Sequence, residues 1–158
     1  MKLPDVNVLL YALDESSPHH QPARAWLERS LSGTEAVALA WSVLIAFVRL
    51  ATSPRIFESP LTPEEAFALI DGWLAQPSAT IVHPTDRHPA LLRQILEPLG
   101  TAGNLTTDAH LAALTIEHGA ELCSADTDFA RFPGLRWANP LANPATSPAR
   151  SPGDRPPA

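Results

Sequence analysis

Cysteine, glycine and positive charge are all scarce in this chain, and each shortage narrows what it can be. A single cysteine in 158 residues, Cys123, cannot close an internal disulfide, and without a second one there is no zinc motif. Cys123 follows Leu122 in an apolar stretch and reads as a small buried hydrophobe. The seven glycines are dispersed and none precedes Lys-Ser or Lys-Thr, so no P-loop is present. No Gly-x-Ser-x-Gly elbow offers a hydrolase nucleophile. The histidines, His19, His20, His83, His88, His110 and His118, make no His-Glu-x-x-His pattern and read as surface or capping residues. Lysine and arginine number 11 against 17 acids, for a net charge of -6, which argues against holding nucleic acid through bulk positive charge. It leaves open a nuclease whose acidic site carries a divalent metal, because the cation reverses the local sign. No apolar run approaches the roughly 18 residues of a membrane span. No basic leader with an apolar core opens the chain, so a cytoplasmic protein without a membrane segment is expected.

What the chain does contain is an alternation of short strands and helices. Strands are expected at residues 3–6, 36–40, 80–83, 122–124 and, as an edge, 136–138. Helices are expected at 8–13, from Ser17-Pro18 to Leu31, at 42–51, from a Thr62-Pro63-Glu64-Glu65 capping box to Leu74, at 88–99 and at about 105–118. This order predicts an α/β fold: three α/β/α layers around a central, mostly parallel sheet of about five short strands. One domain over residues 1–141 accounts for it. Residues 142–158, rich in proline and without apolar periodicity, read as a disordered tail.

Three aspartates stand where a parallel sheet places its ligands, at the carboxyl ends of the strands. Asp5 interrupts the apolar run Leu3-Pro4-Asp5-Val6, and an unpaired buried carboxylate is costly unless protonated, partnered or bound to a metal. Asp126 follows the Leu122–Ser124 strand by two residues, and Asp108 lies in the first turn of its helix. Asp108 equally suits the helix macrodipole, and Asp126 equally suits a turn or cap. Together they form an all-oxygen donor set suited to Mg²⁺ or Mn²⁺. An aspartyl-nucleophile phosphatase would want a second acid two places after Asp5, and that place holds Asn7.

Asp5-Val6-Asn7-Val8-Leu9, Asn104-Leu105-Thr106-Thr107-Asp108-Ala109 and Ser124-Ala125-Asp126-Thr127-Asp128-Phe129 resemble the acidic motifs of PIN domains, and most of all those of VapC toxins from bacterial toxin–antitoxin pairs. The likeness runs from Lys2 to about Leu141. It implies a Mg²⁺- or Mn²⁺-dependent endoribonuclease, usually a homodimer, that hydrolyses RNA and is neutralised by a VapB-like antitoxin. It also implies Asp5, Asp108 and Asp126 as metal ligands and catalytic residues, with Asp128 and Asn7 as accessories. One departure stands out: in Leu44-Ile45-Ala46-Phe47-Val48-Arg49, Ala46 occupies the place of the glutamate common in PIN domains. Arg49 is then a candidate for a substrate phosphate, or a partner for a nearby acid. The missing acid also keeps two alternatives in view: an antitoxin-binding module with little activity, and a PIN nuclease of nucleic-acid processing without a toxin role.

Overall fold

A computed structural model describes residues 1–100 and 103–142. Five strands, β1 (Lys2–Pro4), β2 (Val37–Ala40), β3 (Ala79–Val82), β4 (Glu121–Cys123) and β5 (Trp137–Ala138), form one sheet in the order β3-β2-β1-β4-β5. Every pairing is parallel. Six helices connect them: α1 (Val6–Leu13), α2 (His20–Leu31), α3 (Trp41–Ala51), α4 (Pro63–Leu74), α5 (His88–Leu96) and α6 (Thr106–Glu117). The expected three-layer α/β architecture is borne out. The expected tail lies outside the described residues except for Ala142.

The strand order explains both the layers and the site. The chain steps outward from β1 to β2 to β3, then returns past β1 to β4 and β5. Right-handed crossovers therefore send α1 to α4 to one face and α5 and α6 to the other. The contacts agree: α1 packs on α2 and α3, and α3 on α4, while α5 packs on α6 and α6 on β4. The direction reverses between β1 and β4, and the crevice beyond their carboxyl ends is where such sheets bind ligands. All four residues of β2 are buried, as a strand covered on both faces requires. Leu3, Leu9, Leu39, Leu44, Phe47, Ile70, Leu114 and Leu122 fill the core on either side.

At three places the boundaries differ from the sequence expectation by more than one residue, each for a local reason. β1 ends at Pro4 and α1 begins at Val6, because Asp5 caps the helix by accepting from its backbone N–H. Lys2 N donates to Ala36 on the β2 side and Asp5 N to Cys123 on β4, so the donor that Pro4 lacks falls on the β2 side. The β1–β2 register stops at Lys2 accordingly. Ser17 caps only a turn, its Oγ accepting from His19 N, and α2 starts at His20. Pro22 lacks the N–H that would bond back to Pro18, and the ladder opens with Ala23 N donating to His19 O. Pro98 similarly ends α5 at Leu96, and a 3₁₀ turn over Glu97–Leu99 follows, closed by Gly100 at φ 66°. Cys123 is buried, and burial pushes its thiol up to about 12, an inert hydrophobe as read. No helix among the described residues is long and apolar enough to cross a membrane.

Candidate active site

Asp5 sits at the reversal point of the sheet and is 9% exposed. Its Oδ1 accepts from Val6 N at 2.6 Å, and its Oδ2 from Asn7 Nδ2 and Ser124 Oγ, both at 2.7 Å. Ser124 follows β4, so this bond joins the ends of the two strands that flank the reversal. Asn7 completes the joint: its Nδ2 also reaches Ser124 Oγ at 2.8 Å, and its Oδ1 accepts from Ala125 N at 3.2 Å. The Ser124 hydroxyl accepts from Asp126 N at 3.0 Å as well, so one network fixes Asp5, Asn7 and the backbone that carries Asp126.

Asp126 and Asp128 are exposed on the 3₁₀ turn Thr127–Arg131. Asp126 caps it, its Oδ1 accepting from Asp128 N at 2.8 Å, while Asp128 Oδ1 accepts from Arg131 Nη2 at 2.6 Å. Asp108 lies half-buried in the first turn of α6. Burial is the main force raising the Asp5 carboxyl above the ordinary carboxylate range; bonds from Ser124 and Val6 oppose it, and the charges of Asp108 and Asp126 add to it. Asp108 is raised by burial, then by Asp126 and Asp128, with Arg131 pulling the other way. The four acids therefore share one electrostatic neighbourhood, with Arg131 as the cation acting on it.

Arg49 lies elsewhere. It is exposed in the last turn of α3 and lines a surface hollow of about 240 Å³ with Trp41, Leu44, Ile45, Val48 and Phe67. It makes no ion pair among the described residues, so the expected alternative of a nearby acid partner is not found. Two polar residues of the site escaped the sequence reading. Ser124 was visible as the end of a strand and the first residue of the third acidic motif, with no role attached to it. Arg131 stands three residues after Asp128, a spacing that pairs side chains on a helical turn and could have signalled it.

The histidines also differ from expectation, since His20 and His88 are buried. His20 Nδ1 contacts the Tyr11 carbonyl oxygen at 3.2 Å. His88 opens α5 and faces α6, with Nδ1 at 2.8 Å from Glu117 Oε1 and Nε2 at 2.9 Å from His110 Nδ1. Burial would raise the Glu117 carboxyl, but hydrogen bonds from Thr85 and His88 outweigh it and hold the group below its ordinary range. A histidine and a glutamate 29 residues apart carry no local signal of such a pairing.

The donor chemistry at the carboxyl ends of β1 and β4, carboxylate oxygens with a nearby amide and hydroxyl, fits a hard divalent cation. Among the described residues no group of three or more His, Cys, Asp or Glu side chains is arranged to hold a metal ion. Mg²⁺ needs fewer, being bound commonly through one or two carboxylates with water completing its shell.

A PIN domain model matches residues 2–135. The chain is 51% identical over 142 residues to ribonuclease VapC37 of Mycobacterium tuberculosis, covering 90% of this chain and 99% of that one. It is 43% identical over 141 residues to ribonuclease VapC33 of the same organism, covering 89% and 99%. Its fold superposes on a chain of the VapBC2 structure from Rickettsia felis bound to a promoter DNA fragment, with a TM-score of 0.64, 20% identity and coverage of 87% and 97%. A sheet whose order reverses between β1 and β4, acids at that reversal and similarity over nearly the whole described chain have one meaning: this chain belongs to the PIN domain family, among the VapC ribonucleases.

Proposed function

We propose that this protein is a Mg²⁺- or Mn²⁺-dependent endoribonuclease, the toxin of a VapBC-type pair, with Asp5, Asp108 and Asp126 as its metal-binding and catalytic residues. The observation that carries this reading is the burial of Asp5 at the sheet reversal, within the field of Asp108 and Asp126. The charges of Asp108 and Asp126 act unfavourably on the Asp5 carboxylate, and a cation would relieve that repulsion. When bound, a divalent ion supplies charge to the scissile phosphate and acidifies a water for in-line attack. The chain's own residues prepare for this. Asn7 and Ser124 hold Asp5 in one orientation, Asp126 keeps its turn closed through Asp128 N, and Asp128 pairs with Arg131, whose charge acts on Asp108. Arg131, and Arg49 if the RNA extends over α3, supply cations for substrate phosphate.

The partner in this reading is a VapB-like antitoxin, and a homodimer is the expected assembly. An arginine from the antitoxin entering the acidic crevice would occupy the carboxylates and exclude substrate. Ala46 supports a second reading, an antitoxin-binding module of low activity, because the site has one acid fewer than PIN domains commonly have. RNA cleavage with Mg²⁺ or Mn²⁺ separates the two. Wild type is expected to cleave and Asp5→Asn to lose more than about 100-fold, beyond the usual loss for an outer-shell partner. Equal activity of the two proteins would reject the site. A Mn²⁺ titration is expected to give one tight ion, and two tight ions would overturn the one-ion site.

A further inference from the structure

Asp108 stands in a helical turn that is weakly held by its own sequence. The N-cap of α6 is Leu105, which offers no side-chain cap. Thr106 Oγ1 donates to the Gly103 carbonyl at 3.0 Å, a local bond that moves with the turn. Among the described residues, the long-range side-chain bond next to this turn is the one between His110 and His88 of α5, and His88 is held in turn by Glu117 at the far end of α6. The Glu117 end is firmly anchored. Its side chain is fully buried, and its Oε2 accepts from Thr85 N at 3.1 Å and Thr85 Oγ1 at 2.6 Å.

A carboxylate only accepts, so His88 donates from Nδ1 to Glu117, and its Nε2 shares a hydrogen bond with His110 Nδ1 whose direction follows the tautomers of the two rings. The two rings meet edge to face with centroids 4.8 Å apart, which leaves each little freedom to turn. His110 lies two residues beyond Asp108, about 200° around the helix, so it grips the side of the turn away from the carboxylate. Glu117, seven residues further, returns to the His110 side two turns later.

We propose that Glu117, His88 and His110 form a positioning device for Asp108, fixing the first turn of α6 against α5 and so the approach of the Asp108 carboxylate to Asp5. This rests on the reading of Asp108 as a metal ligand, and the test keeps the two apart. In His88→Asn the amide reaches the Nδ1 position, keeping Glu117 and losing His110. In His88→Gln the longer amide reaches the Nε2 position and keeps His110. Amide hydrogen exchange over residues 103–110 is measured without metal, alongside Mn²⁺ affinity and Tm.

Both variants are expected to lose Tm alike. Only His88→Asn should speed exchange in 103–110, by about tenfold for one lost buried bond, and weaken Mn²⁺ by about tenfold. His110→Leu, which leaves His88 on Glu117, should repeat the His88→Asn pattern and serves if the buried variants do not fold. Exchange unchanged in all three, or rising equally in both His88 variants in step with Tm, would overturn the proposal in favour of simple packing. If exchange responds as expected while wild type and Asp108→Asn bind Mn²⁺ equally, the positioning of the turn stands and the metal reading fails.

Discussion

At the scale of single residues, the acids of the site work against the fold. Asp108 has its pKa raised by burial and by the charges of Asp126 and Asp128. A raised folded pKa means that Asp108 favours the folded chain below the ordinary carboxylate pKa. That advantage disappears as pH climbs through the raised value, so at neutral pH the charge destabilises. Asp108→Asn should therefore be more stable than wild type near pH 7, by about 0.5 kcal/mol once solvent screening is counted. That corresponds to a Tm gain of about 2 °C. The gain should shrink as pH falls toward the ordinary carboxylate pKa, where both proteins carry a neutral group. Thermal unfolding across that range reads the effect, and a variant less stable than wild type at pH 7 would contradict it. Adding Mg²⁺ should reverse the order, because an ion that binds the folded chain stabilises wild type and not Asp108→Asn. Equal Mg²⁺ shifts in the two proteins would place the ion elsewhere.

At the scale of elements, legibility followed how local each cause is. The capping box of α4 was readable from four letters and forms as read: Thr62 Oγ1 accepts from Glu65 N at 3.2 Å, and the Glu65 carboxylate accepts from Thr62 N at 2.8 Å. Thr62→Ala should cost about 1 kcal/mol in urea unfolding without changing RNA cleavage. A drop in cleavage at unchanged folded fraction would tie α4 to the site. The starts of α1 and α2 were each misplaced by two residues because a single group decides each, the Asp5 cap and the missing Pro22 donor. Local pattern marks the periodic run and leaves its first bond undetermined. The placement of Asp5, Asp108 and Asp126 was legible because each lies beside a strand end or helix start, and strand-end geometry is general to parallel sheets. The bridge from Ser124 to Asp5 joins residues 119 apart, and the His88–Glu117 pair crosses two helices. Neither leaves a periodic trace, since both depend on which strands and helices become neighbours.

At the scale of the whole molecule, the net charge of -6 constrains how RNA is held. Binding through phosphate contacts weakens with salt by a log–log slope of about -0.7 for each phosphate neutralised on a single strand. A chain with an acidic crevice and few cations beside it can neutralise only one or two, so the slope should be no steeper than about -1.5. Arg131 is the cation acting on Asp108 and Arg49 lies in the apolar hollow on α3, so the two make separable contributions. Anisotropy of a labelled single-stranded RNA, titrated at several salt concentrations with Asp5→Asn to prevent cleavage, measures the slope. Adding Arg131→Ala should make it shallower by about 0.7. Adding Arg49→Ala should do the same only if the RNA path crosses α3. An unchanged slope in that variant confines the substrate to the carboxyl ends of β1 and β4, and a slope near -5 in the parent would require phosphate contacts from more cations than Arg131 and Arg49.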